Sequence, residues 1–193
     1  MANPRVIVLT APSGAGKTSI ARRALKQIPE LRFSVSATTR ARRSGEENGV
    51  DYFFLSEEDF LNLVQEGKLV EYEEVYPGRY YGTLRSELDA ATTERPVLLD
   101  IDVRGAEHVK ELYGEDALVV FVAPPSMDEL ESRLRTRGTE DEQTLGVRLS
   151  RSRKEMEYLD RFDAVVVNDD LERATRETTR RISTFLGSST EPA

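Results

Sequence analysis

Short apolar runs alternate with stretches of helical period along most of the chain. Residues 6–9 (VIVL) contain no polar position, the pattern of a strand buried on both faces. A glycine-containing turn follows, and residues 17–27 then read as a helix stopped near Pro29. Residues 33–36 give a short strand pattern. Behind Pro96, residues 97–101 form an almost wholly apolar run bearing acidic residues at its carboxyl end, and a helix is expected over about 104–112. Residues 118–122 (LVVFV) repeat the buried-strand pattern until Pro124 and Pro125 halt it. Ser126 then caps a helix with Met127, Leu130 and Leu134 on one side, ended by Gly138. Thr139 with Glu142 opens another helix, in which Leu145, Leu149, Met156 and Leu159 recur at helical spacing. Residues 164–167 supply a fifth core strand and residues 171–185 a last helix. Strands alternating with helices predict an α/β fold, a parallel five-stranded sheet flanked by helices on both faces.

Two segments break this rhythm. Residues 40–50 are polar, with Gly45 and Gly49, and read as loop. Ser56 with Asp59 marks a helix start whose apolar side is Phe60, Leu61 and Val64. Residues 69–75 alternate loosely as a strand, Pro77 and Gly78 mark a turn, and residues 80–83 follow. The segments at about 35–90 and 126–150 therefore read as insertions at one end of the sheet. Ligands bind at the carboxyl end of open α/β sheets. With no repeat and no long linker, the 193 residues read as a single domain. Its core is about 1–34, 91–125 and 151–187, and residues 188–193 form a frayed tail.

Composition narrows the chemistry. The chain is 38 % hydrophobic and 32 % charged, and no apolar run approaches a membrane span. No signal-peptide pattern precedes residue 9, so a cytoplasmic location is expected. With no cysteine and a single histidine, His108, thiolate sites, disulfides and multi-histidine metal sites are excluded. A net charge of −8 argues against nucleic acid or an anionic membrane as partner. Against that acidic background stand two basic knots. One is Arg40, Arg42 and Arg43; the other runs from Arg133 through Arg135, Arg137, Arg148, Arg151 and Arg153 to Lys154. Such knots suit small anions, although Arg151, Arg153 and Lys154 read as a basic solvent face.

Residues 8–18 read VLTAPSGAGKT: strand, turn, then a helix opened by Lys17 and Thr18. This resembles the P-loop pattern GxxxxGK[ST], with Ala11 where the first glycine stands. A left-handed backbone at that position would resist alanine. Gly14 and Gly16 let main-chain N–H groups converge on phosphate oxygens, and the helix N-terminus adds partial positive charge. Lys17 can follow charge onto a transferring phosphoryl group, and the Thr18 hydroxyl can ligate Mg²⁺. Residues 98–102 read LLDID, which places Asp100 and Asp102 on one side of a strand. A carboxylate there can hold Mg²⁺ or its waters. Alternatively, Asp102 caps the next helix.

Further motifs follow in order: SVSATTRARR at 34–43, EENGVDYF at 46–53, YYGT at 80–83, DIDVRG at 100–105, RLRTRG at 133–138 and VVNDD at 166–170. Behind that loop, the series resembles guanylate kinase over about residues 5–185. The resemblance implies Mg²⁺-dependent transfer of the γ-phosphoryl of ATP to GMP and dGMP, serving purine nucleotide metabolism and GMP recycling, by a monomer or small homo-oligomer. The insertion at 35–90 would be a GMP-binding α/β region and that at 126–150 a helical lid. ATP would lie on Ala11, Pro12, Ser13, Gly14, Ala15, Gly16, Lys17 and Thr18, with Asn168 near its base, unless Asn168 is simply a turn residue. Arg40, Arg43, Tyr52 and Tyr81 match the grip on the GMP phosphate. Glu71, Ser36 and Thr83 match the readers of guanine, with Asp100 near the nucleoside. Glu73 competes with Glu71, because the chain carries one extra residue around Pro77. Arg133, Arg137 and Arg148 match lid arginines that close on the transferring group, with Lys17 as the fourth catalytic residue. Thr18 and Asp102 would serve the metal.

The implied mechanism is in-line attack by a GMP phosphate oxygen on the γ-phosphorus, with no covalent intermediate and no general base. Two rivals remain at this level. One is a kinase of another monophosphate. The other is a guanylate-kinase-like module that binds proteins without catalysis, which Gly14, Gly16, Lys17 and Thr18 argue against.

Overall fold

The computed structural model describes residues 5–136 and 142–187. The first run becomes β1 (Val6–Thr10), which lies in the middle of a parallel sheet. Its neighbours are β7 (Val97–Asp100) on one side and β8 (Ala117–Ala123) on the other. Beyond them lie β2 (Arg32–Phe33) and β9 (Ala164–Val167), all parallel. Strand alternation divides the core. Ile7, Leu9, Leu98, Val120 and Val122 face the helices α1 (Lys17–Gln27), α5 (Met127–Thr136) and α7 (Leu171–Leu186). Val6, Val8, Leu99 and Val119 face the other way, toward Ala106 and Val109 of α4 (Val103–Tyr113). Both faces are covered, which is why β1 and β7 are apolar up to their last residues, Thr10 and Asp100, and β8 throughout.

The first insertion builds a sheet of its own. β3 (Ala37–Thr38) pairs in parallel with β4 (Phe53–Phe54) and antiparallel with β6 (Arg79–Leu84), which pairs with β5 (Leu69–Tyr76). α2 (Glu57–Gln65) covers it, begun by the Ser56 cap that accepts from Asp59 N at 3.0 Å. The buried side of α2 is Phe60 with Leu63 and Val64; Leu61, expected inward, is 37 % exposed. In the β5–β6 hairpin Glu74 faces Tyr80 and Tyr76 faces Arg79, so Val75 is an unpaired bulge residue.

The strand expected over 33–36 is β2 at Arg32–Phe33, and Ser36 lies in the connection just before β3. α3 (Arg85–Asp89) leads back to the core, and α6 (Glu142–Met156) runs from the second insertion into it. Gly138, Thr139 and residues 188–193 lie outside the described residues, so the helix stop, the helix start and the frayed tail expected there are not described. Among the described residues no helix is long and apolar enough to cross a membrane.

Candidate active site

The phosphate loop is the crossing from β1 to α1. Gly14 (φ 97°) and Gly16 (φ 94°) take left-handed backbone, and Gly16 is the residue before the first helical turn. Among the described residues only glycines have positive φ, so Ala11 meets no strain. No side chain caps α1, which leaves its first N–H groups open toward the cleft. Lys17 Nζ donates to Ile101 O at 2.5 Å and sits 2.8 Å from Asp100 Oδ1. The Thr18 hydroxyl donates to Asp100 Oδ2 at 2.8 Å.

Both aspartates thus depart from their expected places, and Asp102 takes its alternative role as a helix cap. Asp100, expected beside the nucleoside, has both oxygens turned to the loop. Asp102, expected beside Thr18 and the metal, caps α4 by accepting from Arg104 N at 3.0 Å and Gly105 N at 2.9 Å. The reason is that β7 ends at Asp100, so the alternation that put both on one side does not extend to Asp102. Asp102 turns toward Glu73 instead. Burial and that hydrogen bond push Glu73 up to about 8. Burial works against the charge on Asp102, yet hydrogen bonds from Glu73 and Gly105 N hold it below the usual range.

The opposite wall belongs to the insertion. Ser36, Arg43, Tyr52, Glu71 and Tyr81 line the same cleft as the phosphate loop, a space of about 350 Å³. Arg40 lies behind them, its side chain 8 % exposed, in a fork to Glu46 at 2.8 and 2.7 Å and over the rings of Tyr52 and Phe54. The Arg40 fork and the Arg43 N–H hold Glu46 at about 2. Burial, then the negative Asp100, push the Tyr52 hydroxyl up to about 12. Tyr52 and Tyr81 meet edge to face at 6.0 Å.

Glu71 and Glu73 are now separable. Glu71 lines the cleft and accepts the hydroxyl of the fully buried Thr83 at 2.5 Å. Burial pushes its carboxyl up to about 7, with the Thr83 bond pulling the other way. Glu73 is turned to Arg151 and Asp102.

On the other flank of the loop, Asn168 donates its amide to Ala15 O at 2.7 Å and its backbone N–H to Ala123 O at 2.8 Å. Its carbonyl accepts Arg133 Nη2 at 3.0 Å, while Glu129 holds Arg133 Nε at 2.9 Å. These residues border a second hollow beside Gly14, Gly16 and Ser19. Arg148 lines the main cleft from α6. Arg137 lies outside the described residues. Arg151, read as part of a solvent face, is instead 24 % exposed and bonded to Glu73, Val75 O and Glu155. Sequence reasoning missed it and Glu46, because their partners lie on other elements or in a loop without period. The only available hint for Glu46 was a carboxylate close behind the Arg40–Arg43 knot.

Comparison with known proteins agrees with this geometry. The guanylate kinase family model matches residues 3–184. Guanylate kinase of Salinibacter ruber is 58 % identical over 188 residues, 97 % of this chain and 100 % of that protein. The enzyme of Chlorobium luteolum is 49 % identical over 183 residues, 94 % and 92 % of the two chains. The crystal structure of guanylate kinase from Anaplasma phagocytophilum superposes with a TM-score of 0.75 at 35 % identity, covering 97 % of this chain and 86 % of that one. With a match running from the phosphate loop to the last helix, this chain belongs to the guanylate kinase family.

Proposed function

We propose that this guanylate kinase, which transfers the γ-phosphoryl of ATP to GMP, works by facing two nucleotide beds across one cleft. The observation that carries the reading is that cleft: the loop with Lys17 forms one wall and Arg43, Tyr81 and Glu71 the other. ATP lies on residues 11–18, its phosphates on the open N–H groups of α1 and its base toward the hollow beside Asn168. Asn168 acts by holding the loop carbonyl of Ala15.

Arg43, Tyr52 and Tyr81 receive the GMP phosphate, with Arg40 behind them oriented by Glu46. Glu71 accepts guanine N1–H and N2–H₂, with Ser36 beside it, and Thr83 fixes the carboxylate. Adenine offers an acceptor at N1, which would leave Glu71 facing a lone pair. As the family resemblance implies, dGMP is expected as an alternative acceptor.

The residues present suit Mg²⁺. Among the described residues no three carboxylates or imidazoles form a metal cage. Thr18 and Asp100 instead offer oxygen donors beside the loop, a set fitting an ion that keeps waters and substrate phosphates as ligands. They would hold it directly or through water. When bound, the ion neutralises charge on the phosphate oxygens.

The protein itself positions and neutralises. Lys17 follows the γ-phosphoryl, and Arg133, Arg137 and Arg148 close over it from the lid. A GMP phosphate oxygen, already ionised, attacks in line without a base. Closure excludes water and so prevents ATP hydrolysis. ADP release measured with GMP, dGMP, AMP, UMP and TMP side by side tests this. GMP- and dGMP-dependent release is expected; equal rates with AMP would overturn the assignment of Glu71.

A further inference from the structure

Arg151 sits on α6 where that helix passes from the second insertion into the core. Each nitrogen of its guanidinium is committed to protein. Nε donates to Glu155 Oε1 at 2.7 Å on its own helix. Nη1 donates to Val75 O at 3.1 Å, the carbonyl of the bulge residue in β5. Nη2 donates to Glu73 Oε2 at 3.1 Å and lies 3.5 Å from Asp102 Oδ2 at the cap of α4. One side chain therefore spans the lid-bearing helix, the edge strand of the second sheet and the carboxyl end of β7.

The electrostatics make the seat specific. Glu73, Asp102 and Glu155 crowd around the fork with their side chains 17 %, 20 % and 8 % exposed. An acidic cluster that poorly solvated, with Asp102 held ionised, needs a cation beside it. Arg104 approaches Glu73 only at 3.6 Å and is 71 % exposed, so it cannot replace Arg151. A lysine could supply charge but not the fork that meets a carbonyl and a carboxylate on the same strand. The bulge matters as well, since it frees Val75 O from the ladder.

The tethered elements carry the two beds. Arg148 lies one helical turn before Arg151 and lines the cleft. Glu71 lies two residues before Glu73, on the same side of β5. We propose that Arg151 is a positioning residue that couples the beds: by tying α6 to β5 and to the cap of α4, it makes the placement of Arg148 depend on the strand that reads guanine, and the reverse. This rests on the assignment of Arg148 to ATP and Glu71 to GMP. A guanine drawn onto Glu71 settles β5, and through Arg151 settles α6. Linkage then requires that each nucleotide strengthen binding of the other by one common factor.

The test is calorimetric titration of the full chain with Mg²⁺ and a non-hydrolysable ATP analogue, with and without saturating GMP, and the converse titration. The wild type is expected to show the same factor both ways, about five-fold or more. Arg151→Ala should bring the factor close to one while GMP alone binds within about three-fold of wild type. Arg151→Lys should fall between. In steady state the loss should appear as a raised KM for each substrate at saturating concentration of the other, with KM at low concentration of the other little changed, a split that a general loss of folded protein would not produce. A wild-type factor of one, or an Arg151→Ala factor equal to wild type, overturns the proposal. Should Arg151→Ala fail to fold, Arg151→Lys decides, and a wild-type factor there overturns it. Failure of the underlying site reading is distinct: the analogue or GMP would then not bind at all, or Glu71→Gln would leave GMP binding unchanged, and the coupling would fall with it.

Discussion

Lys17 Nζ lies 2.8 Å from Asp100 Oδ1, so the cation of the phosphate loop rests against the carboxylate that ends β7. Asp100 also takes the Thr18 hydroxyl, and Ile101 O takes Nζ at 2.5 Å. These contacts tether Nζ at the carboxyl end of β7, and it exchanges part of them for phosphate oxygens when a nucleotide enters. Lys17→Met keeps an unbranched side chain, one atom shorter, and removes the charge. kcat is expected to fall about 10²- to 10³-fold, with the melting temperature changed by a few degrees at most. Near-normal turnover would remove Lys17 from the reaction.

Glu71→Gln tests the guanine reader. The amide keeps one acceptor and places an N–H₂ against guanine donors. The preference for GMP over AMP should shrink about ten- to a hundredfold, the cost of one buried mismatch. Comparing kcat/KM for both nucleotides checks it. An unchanged preference would require another reader, although Glu73 is already engaged by Arg151 and Asp102.

Much of this arrangement is legible in the residues, for definite reasons. β1, β7 and β8 are buried on both faces, so each reads as an apolar run, broken only by Thr10 and Asp100 at the ends of β1 and β7. The phosphate loop depends on local backbone, so its glycines announce it. The failures share a cause. β3 and β4 have two residues each, too few for any period. The alternation linking Asp100 and Asp102 holds only inside a strand, and the strand ends between them. Arg151 looks like one arginine among several because helical spacing shows only its own helix, while Val75 and Glu73 lie 76 and 78 residues away. Glu71 and Glu73 share one side of β5; where Arg151 lands is what tells them apart.

The raised carboxyl of Glu71 makes GMP recognition depend on pH. Burial lifts it from 4.5 to about 7, and guanine needs the ionised form. In the free protein, stability from this group falls as pH rises from 4.5 to about 7, because the unfolded chain gives up the proton first. Binding has the opposite slope: KM for GMP should fall about tenfold per pH unit as pH climbs toward neutrality, then level off. The GMP phosphate titrates nearby, so the same profile on Glu71→Gln provides the subtraction. Superimposable profiles for the two proteins would remove Glu71 as the titrating group.

The loop itself is braced by Asn168. A Cβ on Gly16 would stand 2.2 Å from Asn168 Nδ2, and the backbone there has φ 94°. Gly16→Ala therefore combines left-handed strain of about 1–2 kcal/mol with loss of the bond to Ala15 O. A melting temperature lowered by several degrees and weakened binding of an ATP analogue are expected together. Unaltered nucleotide binding would show that the brace is dispensable.

Gly105 gives the sharpest separation of fold from function. It lies in the first turn of α4, with its N–H on Asp102, and has no positive φ, so alanine suits its backbone. Helix propensity alone would favour Gly105→Ala by up to about 1 kcal/mol. The added Cβ, however, would stand 2.7 Å from Glu71 Oε2 and 2.9 Å from its Cδ. A carboxylate at the end of a flexible side chain can move away, so the fold survives while the Thr83–Glu71 bond and the aim of the reader are lost. The expected outcome is a melting temperature at or near that of wild type. KM for GMP should rise about tenfold or more, with KM for ATP nearly unchanged. The two constants and one melt decide it: a drop in stability with KM for GMP preserved would mean that the backbone yields first and that Gly105 is there for packing rather than for guanine.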